Sequence, residues 1–272
     1  MFLVSLIPAF KDNYIWLLTE GKRAFVVDPG DAAPVQARLE ADGLALEGIL
    51  LTHHHADHQG GVAELAARWP VRVYAPGNES ITGCTHPLSG DECIEVLGQP
   101  VRVMAVPGHT RGHLAYSADG ALFCGDTLFG AGCGRLFEGT PAQMSASLAS
   151  IAALPDTTRI YCAHEYTEMN LRFAMAVEPE NTALQTRVAS VAGLRAAGLP
   201  SVPSTLAEEK ATNPFLRCQE PAVVAAAWRL GVTGRESVAV FAAIRGWRNN
   251  FYVFSGAGGR RSFPAYRARA RC

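Results

Sequence analysis

The chain has 272 residues, of which 49% are hydrophobic and 18% are charged, and its formal net charge is −1. This composition is typical of a globular protein with one large domain, or with one medium and one small domain. No apolar run reaches 18 residues, so we expect no membrane-spanning helix. The seven cysteines are odd in number and none has C-x-x-C spacing, which argues against a disulfide framework or a cysteine zinc site.

Predicted strands begin at the amino terminus. Residues 1–7 are mostly apolar but lack a basic segment, so they predict a first strand rather than a signal peptide, and we expect a cytoplasmic protein. Further apolar runs predict strands at 14–19, 24–27, 49–51, 71–74, 101–106, 114–116 and 121–124. The segment Thr140-Pro141-Ala142-Gln143 predicts a helix start, with Thr140 as N-cap and Gln143 completing a capping box.

Alanine-rich stretches replace the strand signals after residue 166. They predict helices at 182–197, 222–230 and 236–245. Thr205 and Glu208 have capping-box spacing and predict a short helix before Asn213. Residues 221–272 contain nine arginines and one acidic residue. Such a basic end could bind nucleic acid, a membrane or a small anion, and composition alone does not choose among them.

The segment Thr52-His53-His54-His55-Ala56-Asp57-His58 is the strongest chemical signal in the sequence. It follows a predicted buried strand and precedes a predicted helix. His53 and His55 lie two residues apart, so in an extended backbone their side chains point to the same side. Asp57 and His58 come after the chain turns and can face a second point nearby. One loop can therefore serve two adjacent metal ions.

Three other predicted strands end at a ligand-type residue, namely His109, Asp126 and His164. The complete set is five histidines and two aspartates without a thiolate. This set suits two borderline divalent cations such as zinc, manganese or iron. We expect His113 and Asp28 to support the ligands through hydrogen bonds rather than to bind metal. We expect His54 to point away from the metal ions.

These residues resemble a known signature. T-H-x-H-x-D-H followed by a later His, Asp and His is similar to the metal-binding pattern of the metallo-β-lactamase superfamily. Residues 1–251 further resemble the glyoxalase II (hydroxyacylglutathione hydrolase) family. The similar motifs are Ile7-Pro8-Ala9-Phe10, Asp12-Asn13-Tyr14, Gly132-Cys133-Gly134-Arg135, Phe137-Glu138-Gly139-Thr140, His164-Glu165-Tyr166-Thr167, Asn213-Pro214-Phe215-Leu216-Arg217 and Arg245-x-x-Arg248.

The resemblance implies a fold and a domain organisation. The fold class is α/β, an αββα metallo-β-lactamase sandwich, with a smaller C-terminal all-helical domain. We expect a metallo-β-lactamase-like catalytic domain at 1–165 and a helical glutathione-binding domain at 166–254. The remainder, 255–272, is expected to be a basic, flexible tail.

The resemblance also implies roles for individual residues. One metal ion would be held by His53, His55 and His109, and the other by Asp57, His58 and His164. Asp126 would bridge the two ions, and Asp57 and Asp126 are the expected catalytic residues. The expected substrate-binding residues are Arg135, Phe137, Tyr166, Arg245 and Arg248.

The sequence departs from the family in three places. Arg135 and Arg248 stand where lysine is common, which keeps the charge but replaces a point charge by a planar fork. Phe137 stands where a tyrosine is frequent, so we expect no hydroxyl contact to glutathione from it. The tail after Phe251 extends beyond the usual end of the family.

The activity that the resemblance implies is hydrolysis of the thioester of S-lactoylglutathione and related 2-hydroxyacylglutathiones. The products are glutathione and a 2-hydroxy acid, and the reaction is the second step of methylglyoxal detoxification. Two cations about 3.5–4 Å apart can bridge one hydroxide, lower its pKa towards about 7, and stabilise the oxyanion formed by its attack. We expect two divalent ions per chain, zinc before iron or manganese, in a monomer that binds neither nucleic acid nor membrane.

Three alternatives stay open. A persulfide dioxygenase with one iron ion on the same fold would leave part of the ligand set unused. A nucleic-acid-processing hydrolase is disfavoured because residues 1–220 contain 15 basic and 24 acidic residues, whereas a groove for a phosphate backbone is basic. A binding module without catalysis is disfavoured because the ligand set is complete.

Overall fold

The structure is a computed structural model that describes residues 2–251. The predicted tail at 255–272 lies outside the described residues, as do the last three residues of the predicted helical domain. Two six-stranded sheets dominate the amino-terminal part, and helices dominate the part after residue 166. The αββα sandwich and the C-terminal helical part that the resemblance implied are both present.

Six strands form the first sheet, in the order β1 (Leu3–Ala9), β2 (Asn13–Glu20), β3 (Arg23–Val27), β4 (Ala45–Leu50), β5 (Arg72–Pro76) and β6 (His86–Leu88). The first three strands are antiparallel neighbours, and β3 to β6 run parallel to one another. The histidine-rich segment follows β4 within two residues. It therefore lies where the parallel strands end.

A separate hairpin is formed by β11 (Leu128–Phe129) and β12 (Gly132–Cys133). The second sheet contains β7 (Cys93–Val96), β8 (Gln99–Ala105), β9 (Leu114–Ala118), β10 (Ala121–Gly125), β13 (Arg159–Cys162) and β14 (Ser204–Thr205). Its strand order is β14-β13-β10-β9-β8-β7. Only β10 and β13 are parallel in this order. Asp126 and His164 follow these two parallel strands and thus lie at the same edge of the sheet.

Among the described residues, the helices are α1 (Ala32–Asp42), α2 (Ala56–Gln59), α3 (Val62–Arg68), α4 (Pro141–Ala152), α5 (Thr167–Val177), α6 (Thr182–Ala196), α7 (Leu206–Thr212), α8 (Pro221–Arg229) and α9 (Ser237–Asn249). The predicted start of α4 is confirmed, because Thr140 and Gln143 form a reciprocal capping box with Pro141 in the first turn. At α7 the Thr205 side chain accepts from the Glu208 amide.

Strand alternation explains how one sheet separates two hydrophobic cores. In β2, Trp16 and Leu18 belong to the large core shared with the second sheet, with α4 and with the C-terminal helices. Ile15 and Leu17 belong to a smaller core beneath α1 and α3. Successive side chains of a strand point to opposite faces, so β2 is buried on both sides. The rigid sheets can therefore carry a site at their shared edge.

The strands β6, β7, β11, β12 and β14 were not predicted from the sequence. They have two to four residues each, too few to show a periodic pattern. β14 comes from the helical part and pairs with β13 of the second sheet, so the two parts share a sheet edge. No helix in residues 2–251 has both the length and the apolar character needed to cross a membrane.

Candidate active site

Three histidines converge at the first candidate metal position. His53 Nε2 lies 2.9 Å from His55 Nδ1, and His109 Nε2 lies 3.0 Å from the same His55 nitrogen. His53 and His109 are buried and His55 is partly exposed. The three nitrogens form one group of metal-ligand spacing, as the resemblance implied. We call His53, His55 and His109 the first ligand set.

Asp57, His58 and His164 form the second ligand set. Asp57 Oδ2 lies 3.6 Å from His58 Nε2 and 3.5 Å from His164 Nε2. Although burial opposes it, the pKa of Asp57 is lowered by His58 and by a hydrogen bond from Asn13, so the carboxylate stays charged. His58 and His164 are almost fully buried. The second set therefore combines one carboxylate with two imidazoles.

Asp126 lies between the two sets. Its Oδ1 is 3.5 Å from His58 Nε2 and 3.4 Å from His164 Nε2, whereas its Oδ2 is 3.4 Å from His109 Nε2. The preceding Gly125 has φ +47, and a Cβ there would come within 2.3 Å of Thr52 Oγ1. Glycine is required at this bend, which turns the Asp126 carboxylate so that each oxygen faces one ligand set.

Hydrogen bonds outside the two sets orient most of these side chains. Asp28 Oδ2 lies 3.0 Å from His58 Nδ1, and the same carboxylate accepts from the amide and hydroxyl of Thr52. His113 is buried, accepts from the Asp126 amide through Nε2, and stacks on His53. Asp28 and His113 thus have the supporting positions that we expected. Such partners fix the tautomer and the direction of a ligand imidazole.

His54 is turned away from the ligand sets. Its ring nitrogens face two carboxylates, with Nδ1 2.9 Å from Glu79 Oε2 and Nε2 3.4 Å from Glu138 Oε1. His54, Glu79 and Glu138 also have metal-ligand spacing. However, the Glu79 oxygens already accept hydrogen bonds from protein donors, so this group does not point to a further metal ion.

The electrostatics of the site favour cation binding. Burial holds the pKa of His53 well below its ordinary value and lowers the pKa of His55 and His109, so these imidazoles are neutral and can bind metal. Burial also opposes charge on His58, but Asp126 and Asp28 outweigh it and raise its pKa to about 9. The surroundings of His58 are therefore strongly negative, and a divalent cation is attracted there.

Two buried atoms support this conclusion directly. His58 Nε2 and Asp126 Oδ1 have no hydrogen-bond partner among the described residues, although both are shielded from solvent. Leaving one buried polar atom unpaired costs about 1–3 kcal/mol, so such atoms are rare without a functional reason. Both face the centre of the second set. The donor set, nitrogen and carboxylate oxygen without sulfur, fits divalent metal ions.

The predicted substrate-binding arginines lie beside the hairpin β11–β12. Arg245 is 7% exposed and donates from Nη1 to the Cys133 carbonyl at 2.7 Å. Arg248 donates to Asn170 Oδ1 at 3.2 Å. Burial, then Arg245 and Arg135, lower the pKa of Arg248, so the guanidinium group of Arg248 lies near two others of like charge. Within the described residues, none of the three pairs with a carboxylate, which leaves a cationic cluster available to an anion.

Tyr166 and Phe137 are aromatic neighbours of the ligand sets. Tyr166 stacks on His164 with ring centroids 4.7 Å apart, and burial, reinforced by Asp12, raises the pKa of its hydroxyl. The hydroxyl therefore stays protonated. Phe137 is 59% exposed and meets His55 and His109 edge to face at 5.5 and 5.3 Å. Its ring is an exposed apolar surface next to the first ligand set.

Sequence reasoning assigned no role to three residues that touch the site. Asn13 donates to Asp57 Oδ2 at 3.0 Å, and Asp12 Oδ1 lies 2.9 Å from His164 Nδ1. Their Asp-Asn-Tyr motif was visible in the sequence, but its target was not. Glu79 contacts the segments that carry His55 and His109. It lies in a polar turn after β5, where one glutamate gives no signal of its own.

Comparisons with known proteins agree with this geometry. A family model described as Metallo-beta-lactamase superfamily matches residues 10–164, and one described as Hydroxyacylglutathione hydrolase C-terminus matches residues 165–251. A crystal structure of BLEG-1 B3 metallo-beta-lactamase has a TM-score of 0.60 at 23% identity, over 79% of this chain and 99% of that chain. At that identity the similarity shows the fold alone.

Two curated relatives are much more similar. A hydroxyacylglutathione hydrolase of Dechloromonas aromatica is 76% identical over 265 residues, which cover 92% of this chain and all of the relative. A second protein of that name, from Alkalilimnicola ehrlichii, is 59% identical and covers 89% of this chain and 97% of its own length. From this identity and coverage, together with both family models, it follows that the chain belongs to the hydroxyacylglutathione hydrolase family of the metallo-β-lactamase superfamily.

Proposed function

We propose that the protein hydrolyses the thioester bond of S-lactoylglutathione and of related 2-hydroxyacylglutathiones, as the names of its relatives suggest. The products are glutathione and a 2-hydroxy acid. One arrangement carries the proposal: two ligand sets share Asp126, beside a cluster of Arg135, Arg245 and Arg248 that has no carboxylate partner among the described residues. The first feature suits hydrolysis, and the second suits an anionic substrate.

The proposed metal ligands are His53, His55 and His109 for one ion and Asp57, His58 and His164 for the other. Asp126 is proposed to bridge, since each of its oxygens faces a different set. This gives two ions per chain. Zinc is the first choice for nitrogen and oxygen ligands without sulfur, with iron and manganese as alternatives.

Glutathione carries two carboxylates, and the arginine cluster is proposed to bind one of them. Arg248 and Arg135 can offer charge-assisted hydrogen bonds from planar forks. Arg245 is proposed to join them through its Nε, which is buried and has no partner in the described residues. Tyr166 can donate its hydroxyl, and Phe137 can pack against the acyl or cysteinyl part of the substrate.

Each side chain has a distinct part in the proposed reaction. When bound, the metal ions supply Lewis acidity: they lower the pKa of water and stabilise negative charge on the thioester carbonyl oxygen. Asp28 holds His58, Thr52 holds His53 and Asn13 holds Asp57 in fixed directions. The sulfur leaves with little help from an acid, because a thiol is already fairly acidic. No serine or cysteine nucleophile is needed.

The experiment is a hydrolysis assay with purified, zinc-loaded protein and S-lactoylglutathione, followed by the loss of thioester absorbance and by the release of free thiol. We expect turnover that a chelator abolishes and that added zinc restores. Elemental analysis at saturating metal is expected to give two ions per chain. A metal-loaded protein that leaves the thioester intact would contradict the proposal.

The same preparation tests the other expectations. A persulfide dioxygenase would consume oxygen with glutathione persulfide, which we do not expect, since the curated relatives are hydroxyacylglutathione hydrolases. Gel filtration tests the proposed monomer, and cell fractionation tests the proposed cytoplasmic location.

A further inference from the structure

The first ligand set differs from the second in how it is supported. In the second set every ligand has its own hydrogen-bond partner, namely Asn13 for Asp57, Asp28 for His58 and Asp12 for His164. In the first set the Thr52 hydroxyl meets His53 and the Arg135 carbonyl meets His109. Among the described residues, the His55 imidazole has no hydrogen bond outside the ligand sets. Its direction is therefore set by the Phe137 ring, which it meets edge to face, and by the backbone that carries it.

Two side chains hold this backbone: Gln59 donates from Nε2 to the His54 carbonyl, and the His54 amide donates to Glu79. Glu79 Oε2 accepts from the His54 amide at 2.7 Å and lies 2.9 Å from His54 Nδ1. His54 is the residue between His53 and His55, so a fixed His54 constrains the peptide groups on both sides. The side chain of Glu79 is only 4% exposed. The contact is therefore shielded from competition by water.

The other oxygen of Glu79 holds the second segment of the first set. Glu79 Oε1 accepts from the hydroxyl of Thr110 and from the amide of Gly112, the latter at 2.8 Å. Thr110 follows the ligand His109 directly. A Cβ on Gly112 would come within 2.6 Å of Glu79 Cγ, so only glycine lets this segment approach the carboxylate closely. One buried carboxylate thus joins both segments that supply the first set.

We propose that Glu79 is a positioning residue that sets the geometry of His53, His55 and His109 and thereby the affinity for one of the two metal ions. This rests on the proposed metal-dependent function. A buried carboxylate is costly to desolvate unless donors surround it, and Glu79 is surrounded by donors from the two ligand-bearing segments. Its loss removes these ties between the two segments and leaves others, namely Gln59 to the His54 carbonyl and Glu138 between His54 and the Arg111 amide.

The test compares zinc affinity by chelator competition in the wild type, Glu79→Gln and Glu92→Gln. Glu92 is a matched control, because its carboxylate also accepts from several donors, at Ser89, Gly90 and Asp91, but none of them adjoins a metal ligand. We expect Glu79→Gln to bind one of its two zinc ions about 10- to 100-fold more weakly, as found when supporting partners of metal ligands are lost. Glu92→Gln should bind zinc like the wild type.

Kinetics separate positioning from substrate binding. At limiting zinc, Glu79→Gln should lose kcat in proportion to the lost ion, while KM for S-lactoylglutathione changes by less than about twofold. Excess zinc should restore much of kcat. Thr110→Val removes one donor and keeps the side-chain shape, so we expect a smaller loss of zinc affinity, about 2- to 12-fold for one hydrogen bond.

Wild-type zinc affinity in Glu79→Gln would overturn the proposal. An equal loss of zinc affinity in Glu79→Gln and Glu92→Gln would also overturn it, because such a loss would reflect general destabilisation of the protein. If Glu79→Gln does not fold, Thr110→Val decides, and unchanged zinc affinity in that variant would overturn the proposal. A wild-type protein that binds two zinc ions without hydrolysing the thioester would contradict the proposed function and leave this comparison valid.

Discussion

Replacing Arg245 by alanine tests how the helical part recognises the substrate. Arg245 belongs to the cationic cluster proposed to bind a glutathione carboxylate, a contact made equally in the ground and transition states. Losing such uniform binding raises KM and leaves kcat nearly unchanged. A charge-assisted hydrogen bond contributes about 1.5–3 kcal/mol, so KM for S-lactoylglutathione should rise about 10- to 150-fold.

The structure adds a second consequence. Arg245 donates to the buried Cys133 carbonyl at 2.7 Å and to Asn249 at 3.0 Å. Without the guanidinium the Cys133 carbonyl loses its donor, so we also expect a loss of about 1–3 kcal/mol in the free energy of unfolding. Thermal unfolding measures this loss separately from the kinetics.

A control variant and a second substrate distinguish the two effects. Arg217→Ala removes another largely buried guanidinium of the helical part, one that pairs with Glu178 at 2.9 Å, and should lower stability without raising KM. A small thioester that lacks glutathione should be hydrolysed by Arg245→Ala at nearly the wild-type rate, because it never reaches the cluster. Equal losses on both substrates would refute the reasoning and make Arg245 a structural residue.

Three further predictions concern the ligand sets and the exposed aromatic ring. Asp126→Asn replaces the carboxylate by an amide with one uncharged oxygen for two ligand sets. Elemental analysis should then find about one ion per chain at metal concentrations that saturate the wild type, and two tightly bound ions would contradict the bridge. Asp12→Ala removes the carboxylate that lies 2.9 Å from His164 Nδ1. Chelator competition should then show zinc binding that is about 10- to 100-fold weaker. An unchanged zinc affinity would count against a supporting role of Asp12. Phe137→Tyr adds a hydroxyl to a ring that is 59% exposed. One new hydrogen bond to glutathione should lower KM for S-lactoylglutathione about 2- to 12-fold. A KM equal to that of the wild type would show that the hydroxyl does not reach the substrate.

Local features of the sequence predicted local features of the structure. The capping box at Thr140 depends on residues three apart, and it is present at α4. The candidate ligands were recognised because each is a residue of ligand type at the end of a predicted strand, and the structure brings all seven together. Their assignment to two metal ions stays a prediction. Parallel strands end at a shared edge of a sheet, so ligand-type residues that follow several strands could be expected to lie close together even where the predicted strand bounds are off by a few residues.

Only the tertiary structure decided which residues support the ligands. Asp12 and His164 are 152 residues apart, and Asn13 and Asp57 are 44 apart. Glu79 meets segments 25 and 31 residues distant. No periodicity or capping rule extends over such separations. The Asn13–Asp57 and Glu79–His54 contacts require the first sheet to be assembled, and the Asp12–His164 and Glu79–Thr110 contacts also require the second sheet to pack against it. Spacing along the chain determined what could bind a metal ion, and packing determined what holds each ligand in place.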